Sequence, residues 1–356
     1  MSSPVTLTEP ESLKQQIKNR IRREGPLTYE TFIDTVLYDE KQGYYREGKP
    51  YRKDYYTSPE IHPVFGKTLA AYIDRVQALC DRAAVTILEL GGGSGALAHQ
   101  MTSPQKDDAG PNYFVVEKGK PKEADRIVWV NDVGDLPRIE NFVVIIANEF
   151  FDALPFHRVK MTESGLREIY LDFADGFVEL LGPLTPEVET FLSTHPIHLN
   201  LHQTGEVTTR TAEILRRTNE VVKEALLLLI DYGYHSQDVA HGRFFDGSML
   251  GYKNLVMRED VFQSLGTMDI THHVNFDHLT RTLDHLGWRK VGEIEQYRFL
   301  LNIGILDQLM TLPDAERVSA KALIDPQGLG SMLSVLGFTK NLSCDVPGFR
   351  QKKSFL

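Results

Sequence analysis

The stretch Val85-Thr86-Ile87-Leu88-Glu89-Leu90-Gly91-Gly92-Gly93-Ser94-Gly95 constrains this chain more than any other. A short run of apolar and β-branched residues bounded by glycines reads as a strand buried on both faces. The glycines permit a tight turn and bring bare backbone against whatever lies beyond the strand end. A helix over residues 96–101 opens directly from them. Strand, glycine turn and helix together begin a doubly wound α/β sheet. Further strands are expected at residues 113–116, 127–130, 142–147 and 225–230. Apolar strands alternating with helical segments predict a parallel sheet covered on both faces.

The flanking segments read differently. Leu13, Ile17 and Ile21 recur at helical spacing, Gly25-Pro26 ends that helix, and Thr28 caps a second one carrying Phe32, Ile33, Val36 and Leu37. Residues 43–63 read as a long aromatic loop, and long loops of this kind are often functional. A helix is expected over 63–81. Between the fourth and fifth strands lies an insertion, residues 155–223. Turn signals at Glu163-Ser164-Gly165 and Ala174-Asp175-Gly176 suggest antiparallel hairpins, and residues 208–224 a helix. A helix at 276–286 and a strand at 298–305 follow. The expected division is a helical lobe over 1–80, a Rossmann-like domain over 81–305, and a helical extension over 306–356.

Charge narrows the partners. The formal net charge is −10, and no basic face suits a phosphate backbone, so nucleic acid is not expected. No apolar run is long enough to span a bilayer, and no leader pattern is read at the start, which predicts a cytoplasmic protein, or a mature form with its leader removed, without a membrane partner. Cys80 and Cys344 are the two cysteines. Their wide separation and the lack of a CxxC pair argue against a disulfide scaffold or a zinc site and suit a reducing compartment.

Gly91, Gly93 and Gly95 fit the GxGxG form of S-adenosylmethionine enzymes, while Gly91, Gly93 and Ala96 fit a dinucleotide form. Glu89, just before the glycines, tilts the reading toward a cationic, amine-bearing ligand. Glu117 ends the second strand about twenty residues further on, where a carboxylate accepts hydrogen bonds from ribose hydroxyls. Asp132 and Val133 follow the third strand, in position to meet an adenine.

Asn148, Glu149 and Asp152 follow the fourth strand, and Asp231 ends the fifth. Ligands of open α/β sheets sit at such strand ends. Gathering acids there is costly unless they bind a cation. A guanidinium, planar and always charged, meets that requirement. The alternatives are a small-molecule methyltransferase, a non-catalytic assembly factor on the same fold, and a nicotinamide-dependent oxidoreductase.

Several segments together resemble the MidA-like family of protein arginine methyltransferases, which includes a mitochondrial member that assists respiratory complex I assembly. They are Gly43-Tyr44-Tyr45, Asp54-Tyr55-Tyr56-Thr57-Ser58-Pro59-Glu60-Ile61, the glycine loop, Asn148 through Pro155, and Asp269-Ile270-Thr271-His272-His273-Val274-Asn275-Phe276. The resemblance implies a seven-stranded methyltransferase sheet with an extra N-terminal lobe, and S-adenosyl-L-methionine as cofactor. It also implies that Tyr55, Thr57 and Ser58 close over that cofactor, and that His273 and Asn275 line the substrate side. The partner implied is a protein presenting arginine, with a homodimer as an open option. Two departures stand out: the segment 118–127 is short, and the loop 245–254 lacks the family's basic pattern.

Overall fold

Every residue of two central segments is buried, because both of their faces are covered. The computed structural model describes residues 12–46, 54, 56–102, 112–118 and 126–350. Its main sheet has seven strands: β1 (Val85–Leu90), β2 (Asn112–Val116), β3 (Ile127–Val130), β4 (Ile139–Asn148), β5 (Val222–Asp231), β6 (Arg289–Glu295) and β7 (Ser334–Lys340). Their spatial order is β6-β7-β5-β4-β1-β2-β3. All neighbouring pairs from β5 to β3 are parallel, and β7 runs antiparallel between β5 and β6.

Alternate side chains of β4 and β5 feed two different cores. Val144, Ile146, Leu226 and Leu228 face the helices Val64–Leu79, Ala96–Thr102 and Gln296–Ile303. Val143, Ile145, Leu227 and Leu229 face the helices Thr209–Val221 and Phe276–His285. Continuous apolar runs are what such two-sided burial requires.

A second body forms beside the sheet. Ser12 caps the helix Leu13–Glu24, which ends at Gly25 with φ +86°. Thr28 caps the helix Tyr29–Tyr38, as its sequence predicts. Ile17, Phe32 and Val36 of these helices pack on Phe156, Ile169 and Leu171 of the insertion, and on Met268 and Ile270. The insertion supplies the strands His157–Thr162, Gly165–Phe173 and Phe177–Gly182, with turns at the expected positions. Leu27–Thr28 pairs with Gly165–Phe173. The N-terminal lobe is therefore not purely helical, and it shares one core with the insertion.

Three expectations need correction. Residues 298–305 do not form a strand: Gln296, Phe299, Leu300 and Ile303 are buried at helical spacing in the helix Gln296–Ile303, and the strand precedes it as β6. The tail is not a helical extension alone, because β7 enters the main sheet with Val335, Leu336 and Phe338 fully buried. The cysteines, distant in sequence, are joined: β7 returns the tail to the end of the Val64–Leu79 helix, and Cys80 and Cys344 form a disulfide with Cα atoms 5.2 Å apart. Among the described residues no helix is long and apolar enough to cross a membrane.

The bridge closes a loop of 264 residues, so it constrains the unfolded chain. Cys344→Ser is expected to lower stability by about 2–4 kcal/mol relative to the oxidised protein. Urea unfolding with and without reductant checks this, and the difference between the two proteins should vanish under reducing conditions.

Candidate active site

The strand order reverses at β1, whose neighbours are β4 on one side and β2 on the other. Crevices of doubly wound sheets open at such points, outside the carboxyl ends. Here a cavity of about 390 Å³ does so, lined by Glu89, Gly91, Gly93, Glu117, Asp132, Val133, Asn148 and Glu149 among others. The sequence places all of these at strand ends, and the sheet brings them together.

The glycine turn is built for close approach. Gly91 has φ +77°, and a Cβ there would stand 2.5 Å from Phe150. At Gly93, φ is +48° and a Cβ would meet no protein atom within 4 Å. Its N–H donates to Glu117 Oε2 at 2.8 Å, so one carboxylate already faces the turn. Gly95 packs against Trp129 instead and does not line the cavity. Glu89 is 3% exposed and accepts a hydrogen bond from the Tyr113 hydroxyl at 2.8 Å. Asp132 accepts from the Gly134 N–H at 2.7 Å and pairs with Arg217, which fixes the turn that carries Val133.

The segment Thr57 to Ile61 lies over this turn. Thr57 and Glu60 line the cavity, and Ser94 Oγ donates to Glu60 at 3.2 Å. Gln100 donates to the Pro59 carbonyl at 2.6 Å. Ser58 donates its N–H to Glu149 Oε1 at 3.2 Å and its hydroxyl to Gln296 at 2.9 Å. Tyr55 falls outside the described residues.

Acids collect at the ends of β4 and β5. Glu149 sits at φ +49°, a left-handed conformation unusual for its type. Burial pushes its carboxyl up to about 8, and the fields of Asp231 and Glu60 act in the same direction against hydrogen bonds from Ser58 and Asn148. Burial, then the negative charges of Asp231, Glu149 and Asp269, raise Asp152 well above the usual carboxylate range. Asp231 is raised to about 7 by burial, although backbone amides oppose the shift. It accepts from the N–H groups of Phe151 at 3.0 Å and Tyr232 at 2.9 Å. Two buried acceptors in this cluster have no hydrogen-bond partner among the described residues: Asn148 Oδ1 and Asp152 Oδ1.

Asp152 and Asp231 stand behind the cavity wall rather than on it. His273 lies elsewhere. Its ring packs on Phe244 at 4.6 Å, it lines a separate small cavity with Glu206 and Thr208, and burial holds it neutral, down to about 4. The Asn275 side chain caps the helix Phe276–His285, so neither residue reaches the cavity. Neighbouring His272 grips the Asp152 carbonyl through its N–H at 3.1 Å and Nδ1 at 2.9 Å. Sequence reading missed Tyr38, Tyr45, Lys118, Arg210 and Arg217, which also line the cavity. Tyr38, Arg210 and Arg217 sit on amphipathic helices whose periodicity reports only the buried face.

A doubly wound sheet with this order, a glycine turn at its reversal point and a carboxylate facing that turn define a Rossmann-like fold built to hold a nucleoside-linked cofactor. The chain belongs to the family of S-adenosyl-L-methionine-dependent methyltransferases, whose model matches residues 68–294. It is 26% identical to the mitochondrial protein arginine methyltransferase NDUFAF7 of Xenopus tropicalis over 86% of this chain and 78% of that one. The human NDUFAF7 is also 26% identical, over 83% of this chain and 74% of the relative. A Burkholderia thailandensis protein crystallised with S-adenosylhomocysteine shares the fold, with a TM-score of 0.82, 22% identity, and coverage of 96% of this chain and 97% of that one. Membership decides the cofactor between the two forms that the glycine loop permits.

Two outcomes follow from this geometry. Gly93→Ala meets no protein atom but puts a side chain at φ +48°, so it should fold with a loss of about 1–2 kcal/mol, and bind S-adenosylhomocysteine at least about tenfold more weakly because it intrudes on the cavity. Titration calorimetry beside a melting curve checks both halves. Glu149 has a folded pKa above its unfolded value, so its contribution to stability declines as pH rises from the unfolded value through about 8. Glu149→Gln removes that penalty, and should gain up to about 3 kcal/mol over the parent near the top of that window, shrinking to nothing in mild acid.

Proposed function

We propose that this enzyme transfers the methyl group to a guanidinium nitrogen of an arginine in a protein. The supporting observation is the cluster of buried acids at the ends of β4 and β5 with its two unpartnered acceptors, Asn148 Oδ1 and Asp152 Oδ1. Such a cluster is destabilising in an empty site and becomes favourable around a cation that donates several hydrogen bonds. The relatives' names, protein arginine methyltransferase, agree with that chemistry.

Gly91, Gly93 and Glu117 would hold S-adenosylmethionine, with Glu89 near its amino group and Asp132 and Val133 at its adenine end. Thr57 and Ser58 would cover it. The bound cofactor supplies an electrophilic methyl on a sulfonium. The protein's task is then placement. Glu149, on the cavity wall, holds the guanidinium with one nitrogen facing the cofactor side, Asp152 adds its charge from behind that wall, Asn148 orients Glu149 through its amide at 3.2 Å, and Asp231 keeps the turn in shape. A carboxylate of the cluster accepts the proton that the methylated nitrogen sheds. His273 is assigned to packing.

The acceptor is read as a polypeptide, and self-association into a homodimer belongs to the same proposal. The compartment is revised: the Cys80–Cys344 bridge and the mitochondrial names of the relatives both weigh against a plain reducing cytoplasm.

Asp152→Asn should leave S-adenosylhomocysteine affinity within about twofold while turnover falls by about 100-fold or more. A comparison of methyl-arginine peptides between the host and a strain lacking the gene supplies the activity readout; an unchanged set would refute the arginine reading.

A further inference from the structure

The helix Thr209–Val221 belongs to the insertion and runs directly into β5. Arg210, Glu213, Ile214 and Arg217 recur along it at helical spacing, and all four line the cavity. Thr211, Leu215 and Thr218 are buried, and Leu215 packs in the core of the main sheet. One side of the helix thus meets the core and another meets the cavity. Both ends of the cavity side are fastened. Arg210 donates to Asp34 at 2.6 Å and pairs with Glu30, both on the helix Tyr29–Tyr38. Arg217 pairs with Asp132, in the turn after β3.

The Arg217 guanidinium and the Asp132 carboxylate meet as a fork on a fork. Nη1 donates to Oδ2 at 3.0 Å and Nη2 to Oδ1, while the Gly134 N–H donates to Oδ1 at 2.7 Å. An ionised carboxylate accepts about four hydrogen bonds, so these bonds leave room at Oδ2. They also leave guanidinium N–H groups over. Gly134 makes the close approach possible, because a Cβ there would stand 2.3 Å from Arg217 Nη2. Val133 and Ile214 line the cavity next to the pair, and both pack into the core of the main sheet. A partly exposed ion pair such as this one adds little to stability.

From this geometry we infer that Arg217 and Asp132 together read the edge of the cofactor's adenine, which makes Arg217 a specificity-determining residue supplied by the insertion. The inference rests on the placement of adenine at Asp132 and Val133 in the function proposed above, and adds Arg217 to it. An adenine edge carries an amine N–H beside a ring nitrogen that accepts. The pair presents the complementary order: a carboxylate oxygen that accepts, beside a guanidinium N–H that donates. Val133 and Ile214 add apolar contact for a flat ring. A polar edge set in apolar surroundings is what a purine requires of its site.

The same order rejects other bases. Hypoxanthine carries a carbonyl oxygen where adenine has its amine, and that oxygen would face the Asp132 carboxylate with no hydrogen between them. A site built to bond an N–H discriminates strongly against an analogue that lacks it. Arg217 acts twice, donating to the ring nitrogen and holding Asp132 in one orientation. A lysine could not do both, because its ammonium is a point charge without a planar fork.

The test uses the full chain, with S-adenosylhomocysteine and S-inosylhomocysteine as probes in titration calorimetry and a melting curve for every variant. The parent should prefer the adenine form by at least about 100-fold. Arg217→Met should bind S-adenosylhomocysteine about tenfold more weakly and S-inosylhomocysteine as the parent does, so that the ratio falls about tenfold. Arg217→Lys keeps a cation beside Asp132 and should lose part of the ratio without losing the fold. Gly134→Ala, whose methyl displaces the guanidinium while leaving both partners in the chain, should narrow the ratio as well. If the Arg217 variants weaken both probes alike, or neither, the pair only fastens the turn and the inference is overturned. A ratio that still narrows in Asp132→Asn would then leave adenine at Asp132. Equal affinity of the parent for the two probes would mean that adenine lies elsewhere, and the placement falls together with the role of Arg217.

Discussion

The Asp231 carboxylate organises the site. It sits at the end of β5, and its oxygens accept the N–H groups of Phe151 and Tyr232. Phe151 lies in the turn that follows β4, so a side chain of one strand shapes the exit of its neighbour. That turn begins with Glu149 in a left-handed conformation, which costs free energy unless the surroundings hold it. The Glu149 N–H is held by the Ile230 carbonyl at 2.8 Å, again from β5. The parallel register that sets Asn148 beside Ile230 makes both contacts possible. Without that register Glu149 would not stand on the cavity wall, nor Asp152 behind it.

From the same point the structure explains how distant segments reach one cavity. The Asp152 carbonyl is gripped by His272, and the Ala153 carbonyl by Tyr38. Glu149 itself receives the Ser58 N–H. The turn after β4 is thus a hub on which the N-terminal helices, the Thr57–Ile61 segment and the 269–272 stretch all converge. Because Phe156 continues the same chain into the core of the second body, the two bodies are linked through the site.

The strands were legible because two-sided burial leaves an unmistakable apolar run, and their ends were legible because acids and glycines interrupt those runs. This is why Glu89, Gly91, Gly93, Glu117, Asn148 and Glu149 could be named and why they share one cavity. What depends on tertiary pairing was not legible. Residues 298–303 hold enough apolar side chains for a strand, and only the spacing of the buried set makes them a helix. Residues 334–340 enter the sheet from the far end of the chain, with no local signal of their partner. The Cys80–Cys344 pairing follows from that return and is invisible to any argument from spacing. His273 is the opposite case: a motif residue with suggestive chemistry whose ring is turned into aromatic packing.

The acids of this site run against stability. Burial raises Glu149, Asp152 and Asp231 together, so each holds its proton more tightly when folded than when unfolded, and folding is penalised as pH rises. A fold selected for stability alone would place neutral side chains there. Asp231 has a structural justification, since two backbone amides depend on it. Glu149 receives some compensation from Ser58 and Asn148, but Asp152 Oδ1 has no hydrogen-bond partner among the described residues. On the reading proposed above, such a buried acceptor is binding energy held in reserve for a cation with donors. The incoming charge also lowers the proton affinity of its neighbours, so binding and proton release are coupled at the same atoms. On that reading the cost of burying these acids becomes part of the driving force for holding the acceptor in line.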